Sequence, residues 1–132
     1  FIARSLDQQT TMMILDETTS ALDFKNQIAF WEILRSVCVS EDDFKTSNLD
    51  QNLKSDLSNF IGKTAIVCTH DPNHALWFCD EILALKNGEI IAYGDAKSAL
   101  NEQNLFEIYG RECKITDGKI QFIAPYPILL RF

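Results

Sequence analysis

Two short apolar runs that stop dead at charged side chains constrain this chain most. Met12-Met13-Ile14-Leu15 ends at Asp16-Glu17, and Thr64-Ala65-Ile66-Val67-Cys68-Thr69 ends at His70-Asp71-Pro72. Runs of this length without polar alternation read as strands buried on both faces, the pattern of a parallel sheet. Cys68 lies inside the second run, where a thiol counts as a small hydrophobe. Asp23 is placed to cap a helix reaching about Cys38, with Ile28, Trp31, Leu34 and Cys38 at helical spacing. Residues 40–59 are the most polar stretch and open on Glu41-Asp42-Asp43. There Leu49, Leu53 and Leu57 predict a short amphipathic helix.

Beyond the second run, residues 73–79 read as a short helix, on which His74 is expected to be exposed. Ile82–Leu85 and Glu89–Tyr93 flank Asn87-Gly88, a strong hairpin signal. Two short helices capped by Asp95 and Asn101 follow. Asp117-Gly118 then marks a second hairpin, and Pro125 and Pro127 end regular structure. Residues 1–6 read as the tail of a helix. The fold class is therefore α/β, with parallel strands, flanking helices and antiparallel hairpins at the edge of the sheet.

Length and composition narrow the functional classes. The 132 residues suit one domain, and 46% hydrophobic with 23% charged residues is usual for a soluble globular protein. A formal net charge of −7 argues against a nucleic-acid partner and against a basic membrane-surface patch. No run approaches the roughly eighteen apolar residues of a membrane span. Cys38, Cys68, Cys79 and Cys113 are scattered without metal-ligand spacing, which points to a reducing, cytosolic setting.

Ligands of open α/β sheets bind beyond the carboxyl ends of the strands. If the two runs are neighbours, Asp16, Glu17 and His70 share that edge. Asp16, continuing its strand, would hold a hard cation such as Mg2+, directly or through water. Glu17, projecting past the strand end, would accept a proton from an attacking water. His70 could donate to a phosphate oxygen or orient that water.

The segments around these residues carry a family resemblance. Leu15-Asp16-Glu17-Thr18-Thr19-Ser20-Ala21-Leu22-Asp23 resembles the Walker B and D-loop segment of ABC-transporter ATPase subunits, a branch of the P-loop NTPases. Phe1-Ile2-Ala3-Arg4-Ser5-Leu6 resembles the helix just after that family's LSGGQ signature. Thr69–Leu76 resembles its switch-histidine loop, and Lys86–Gly94 the hairpin that follows. Asn104–Gly110 resembles a closing segment of importers of iron chelates, haem, cobalamin and related metal compounds.

The resemblance implies ATP and Mg2+ as cofactors. It makes Asp16 the Walker B carboxylate, with Mg2+ held through water, Glu17 the catalytic base and His70 the switch histidine. Ser20 and Asp23 belong to the D-loop, which crosses to a second ATPase subunit in a homodimer. Membrane permease subunits are the further partners, with a substrate-binding protein engaged indirectly, at the cytoplasmic face of the cell membrane. The chain is then expected to be the C-terminal portion, residues 1–132, of one ATPase domain. Its P-loop, glutamine loop and signature would lie before Phe1.

Within the chain, Gly62-Lys63-Thr64 is no substitute for that P-loop. The glycine required five positions before Gly62 is Leu57, and the segment leads into a strand rather than a helix. Thr18 stands where the family usually has proline, and residues 40–53 read as a surface insertion. Two alternatives stay open: a truncated, non-catalytic ATPase fragment, and a soluble ABC ATPase with a non-transport task.

Overall fold

A computed structural model describes residues 10–16 and 19–123. The helical reading of residues 1–6 and the break at Pro125 and Pro127 lie outside that range. The chain divides into two compact units, Phe1–His70 and Asp71–Phe132.

In the first unit, strand β1 (Met12–Asp16) pairs in parallel with β2 (Thr64–Cys68), in a register that sets Met12 opposite Thr64 and Asp16 opposite Cys68. The crossover holds three helices: α1 (Phe24–Val37), α2 (Glu41–Thr46) and α3 (Gln51–Leu57). Each starts on a side-chain cap. Asp23, Ser40 and Asp50 accept from the amides of Asn26, Asp43 and Asn52. Helix α1 follows the sequence expectation closely, but its buried face also takes in Phe30 and Val37.

Helix α2 falls in the stretch expected to be a surface insertion. Ser40 and Asp43 form a reciprocal cap, with Ser40 Oγ donating to Asp43 Oδ2 at 2.7 Å and accepting from the Asp43 amide at 3.2 Å. Phe44 is buried. The segment therefore contributes to the interior as well as to the surface. Leu57 of α3 is buried, while Leu49 and Leu53 are half-buried.

The strands correct one expectation. β1 alternates: Met13 and Leu15 are buried, whereas Met12 is 51% and Ile14 72% exposed. On β2, Ile66 is 50% exposed and Cys68 is exposed, so this thiol is not a core residue. Within this chain one face of the pair is packed on Met13 and Leu15, and the other carries Met12, Ile14 and Ile66.

The second unit opens with α4 (Pro72–Phe78), capped by Asp71 with Pro72 in its first turn. Hairpin β3 (Glu81–Lys86) and β4 (Glu89–Asp95) turns through Asn87 and Gly88, with φ of 52° and 80°. Positive φ at both positions is what a two-residue turn of this hand requires. Helices α5 (Ala96–Ala99) and α6 (Glu102–Tyr109) follow, capped by Asp95 and Asn101 as expected. Hairpin β5 (Cys113–Thr116) and β6 (Lys119–Phe122) turns through Asp117-Gly118. The core of this unit gathers Ala75, Ile82, Ala99, Leu100, Leu105 and Ile120 among others.

Among the described residues the strands form three two-stranded sheets. Both expected antiparallel hairpins are present, each as its own two-stranded ladder.

His74 also departs from expectation. It is 2% exposed, with its ring 6.2 Å from that of Trp77 and 6.4 Å from that of Phe78. Its Nδ1 lies 3.7 Å from Asp71 Oδ2, one turn back on the helix. Aromatic residues three and four positions on from His74 share its side of the helix, and that spacing was the available signal.

Candidate functional site

The in-register parallel pairing fixes the geometry of the carboxyl edge. Asp16 is the last residue of β1 and stands opposite Cys68, the last residue of β2. His70 follows two residues later on the β2 side, so the two candidate groups emerge from the same end of adjacent strands. Both residues are exposed. Glu17, the expected base, and Thr18 lie outside the described residues.

Next comes the turn that carries Ser20. The Leu22 amide donates to the Thr19 carbonyl at 3.0 Å and closes it. Asp23 follows, and its Oδ1 accepts from the Asn26 amide at 2.9 Å, so this candidate ligand is also the cap of α1. One turn into α1, the Gln27 side-chain amide donates to the carbonyls of Thr19 and Leu22, at 3.0 Å each. Sequence reasoning passed over Gln27. It lies four residues past the cap, the position from which a helix side chain reaches back over the N-terminus.

Lys63 confirms that Gly62-Lys63-Thr64 is built as structure. The residue is 9% exposed, and its ammonium donates to the Thr10 main-chain carbonyl. Its own amide donates to the Val37 carbonyl at 2.9 Å, just ahead of β2. A lysine so committed is not presented to a phosphate.

A magnesium–nucleotide complex can be tested against this donor set. Among the described residues no cluster of three or more His, Cys, Asp or Glu could hold a metal ion. Mg2+ keeps several waters and takes one or two carboxylates alongside phosphate oxygens. Asp16, exposed at a strand end, fits that limited role.

The parallel pair thus brings Asp16 and His70 to one edge, beside the turn of residues 19–22 and the capped start of α1. Comparison with known proteins gives the chain's relatives. No protein-family profile matches the chain. It is 31% identical over 120 residues to the ferric enterobactin transport ATP-binding protein of Escherichia coli (strain K12), covering 91% of this chain and 37% of that protein. It is 37% identical over 110 residues to a phosphonates import ATP-binding protein of Mesoplasma florum, covering 83% of this chain and 36% of that one. A solved metal-chelate type ABC transporter in an inward-facing conformation shares the fold. Its TM-score is 0.62 at 22% identity, covering 98% of this chain and 45% of the solved one. The relatives of this chain are thus ABC transporter ATP-binding proteins, and the solved chain that shares its fold comes from an ABC transporter. This chain spans 36–37% of the length of these two curated relatives and 45% of the solved chain.

Proposed function

We propose that this chain is the hydrolytic part of the ATP-binding subunit of an ABC transporter, one that turns ATP into ADP and phosphate to drive solute import. The observation that carries this reading is the β1–β2 register, which brings the ends of two parallel strands, and with them Asp16 and His70, to one edge. In this reading Asp16 holds Mg2+ through water, and Glu17 takes the proton of the attacking water. His70 donates a hydrogen bond to the terminal phosphate. Bound Mg2+ neutralises phosphate charge, as in other phosphoryl-transfer sites. The turn with Ser20 and Asp23 faces a second subunit of a homodimer. Among the described residues no helix is long and apolar enough to cross a membrane. In this reading the subunit works on the cytoplasmic face with separate permease subunits, and through them with a substrate-binding protein, with no role for nucleic acid.

Iron chelates or related metal compounds are the proposed solutes. Siderophore-transport relatives and the Asn104–Gly110 segment support that class. The phosphonate-import relative marks the competing solute class. Glu17→Gln in the full-length protein is expected to abolish ATP turnover while ATP still binds. Retained turnover would remove Glu17 as the base. Uptake of labelled ferric siderophore against labelled phosphonate, in cells with and without the gene, decides the solute.

A further inference from the structure

We propose that Gln27 is a positioning residue for this ATPase: its carboxamide fixes the turn that presents Ser20. The proposal rests on the functional reading above. The Gln27 Nε2 has two hydrogens, and two acceptors lie at 3.0 Å, the carbonyls of Thr19 and Leu22. Those carbonyls flank Ser20-Ala21 on either side. The Thr19 carbonyl also receives the Leu22 amide. One carboxamide therefore staples both feet of a four-residue turn to the first full turn of α1.

The chemistry demands a donor. Both partners are carbonyl oxygens, so only the nitrogen end of the amide can face them, and a carboxylate there would repel both. Asp23 ties the helix start from within through its cap, while Gln27 ties the turn from outside. A helix needs only the first bond. The second pair holds the backbone of residues 19–22 in place, three positions beyond Asp16. Catalysis by positioning is sensitive to small displacements, with about a hundredfold lost per ångström in unfavourable cases.

The test uses the full-length protein, with Gln27 replaced by Met, Glu or Lys. Methionine and glutamate keep the helix propensity and the length of the side chain but donate nothing, whereas lysine restores a donor. We expect Gln27→Met and Gln27→Glu to lower kcat about tenfold or more, with the affinity for a fluorescent ATP analogue and the thermal midpoint little changed. The Leu22 amide should exchange faster in both, and Gln27→Lys should recover much of the rate. Wild-type kcat in Gln27→Met, or a fall in kcat matched by lost ATP affinity and a lower melting point without rescue by lysine, would overturn the proposal. The two readings separate. An inactive wild-type protein whose Leu22 amide is deprotected by Gln27→Met sinks the ATPase reading and leaves the clamp. An active one whose Leu22 exchange is indifferent to residue 27 sinks the clamp alone.

Discussion

Tyr109 closes α6 with its ring 5.1 Å from that of Phe122, edge to face, so a helix end and the last hairpin share one aromatic contact. Burial, and after it the charge of Asp71, push its phenol above the ordinary 10.0. A raised folded-state pKa means that the native state holds this proton more tightly than the unfolded chain does. The associated stability is full below the ordinary value and is lost as pH rises through the folded one. Denaturation midpoints taken at about pH 9 and about pH 11 should therefore fall further in the wild-type protein than in Tyr109→Phe. An equal fall in both would show that the phenol carries none of the effect. The Cys113 thiol is pushed up too, by burial first and by Glu102 second. It behaves as an inert core group. Lys63 shows the same discipline in a charged residue, buried yet satisfied by a main-chain carbonyl.

Among the elements, α6 is the best test of local encoding. It has eight residues, too few to persist alone, and depends on its ends and one buried contact. Asn101 Oδ1 accepts from the Asn104 amide at 2.8 Å, and Gly110 ends the helix in a left-handed conformation with φ of 66°. Leu105 between them has no exposed surface. Asn101→Ala should cost about 1 kcal/mol of stability, and Asn101→Asp should restore most of it. Chemical denaturation of the three proteins checks this. If the alanine variant matches the wild type, the cap contributes nothing to α6. These caps and the two Asx-Gly turns were legible from sequence, because each depends on residues at most four positions apart. Helix α2 was legible in the same way, through Ser40 and Asp43, but the polarity of its surroundings hid it.

At the scale of the whole molecule, the sequence holds no G-x-x-x-x-G-K-[ST] segment from which a glycine-rich phosphate cradle is built. Most of the affinity for a nucleotide comes from such a cradle and its lysine. Residues 1–132 alone are therefore expected to bind ATP weakly or not at all. Titration with labelled ATP checks this, and tight binding would show that Gly62-Lys63-Thr64 or some other segment had been misjudged.

By itself the sequence determined the two strands of the parallel pair, the caps Asp23, Asp95 and Asn101 and the hairpin turns, and it nominated Asp16, Glu17, Ser20, Asp23 and His70 as candidate groups. All of these follow from short spacings and from where apolar runs stop. Tertiary structure alone decided which face of β1 is covered, that His74 is buried, and that Gln27 reaches back to the turn. It also decided the tie between α4 and β6. There Asn73 Oδ1 accepts from the Ile120 amide at 2.7 Å and Asn73 Nδ2 donates to the Ile120 carbonyl at 3.1 Å, across 47 residues of chain. The physical reason is range. A cap or a turn is satisfied by its own neighbours, whereas burial and cross-chain hydrogen bonds depend on partners whose distance along the sequence no local pattern records.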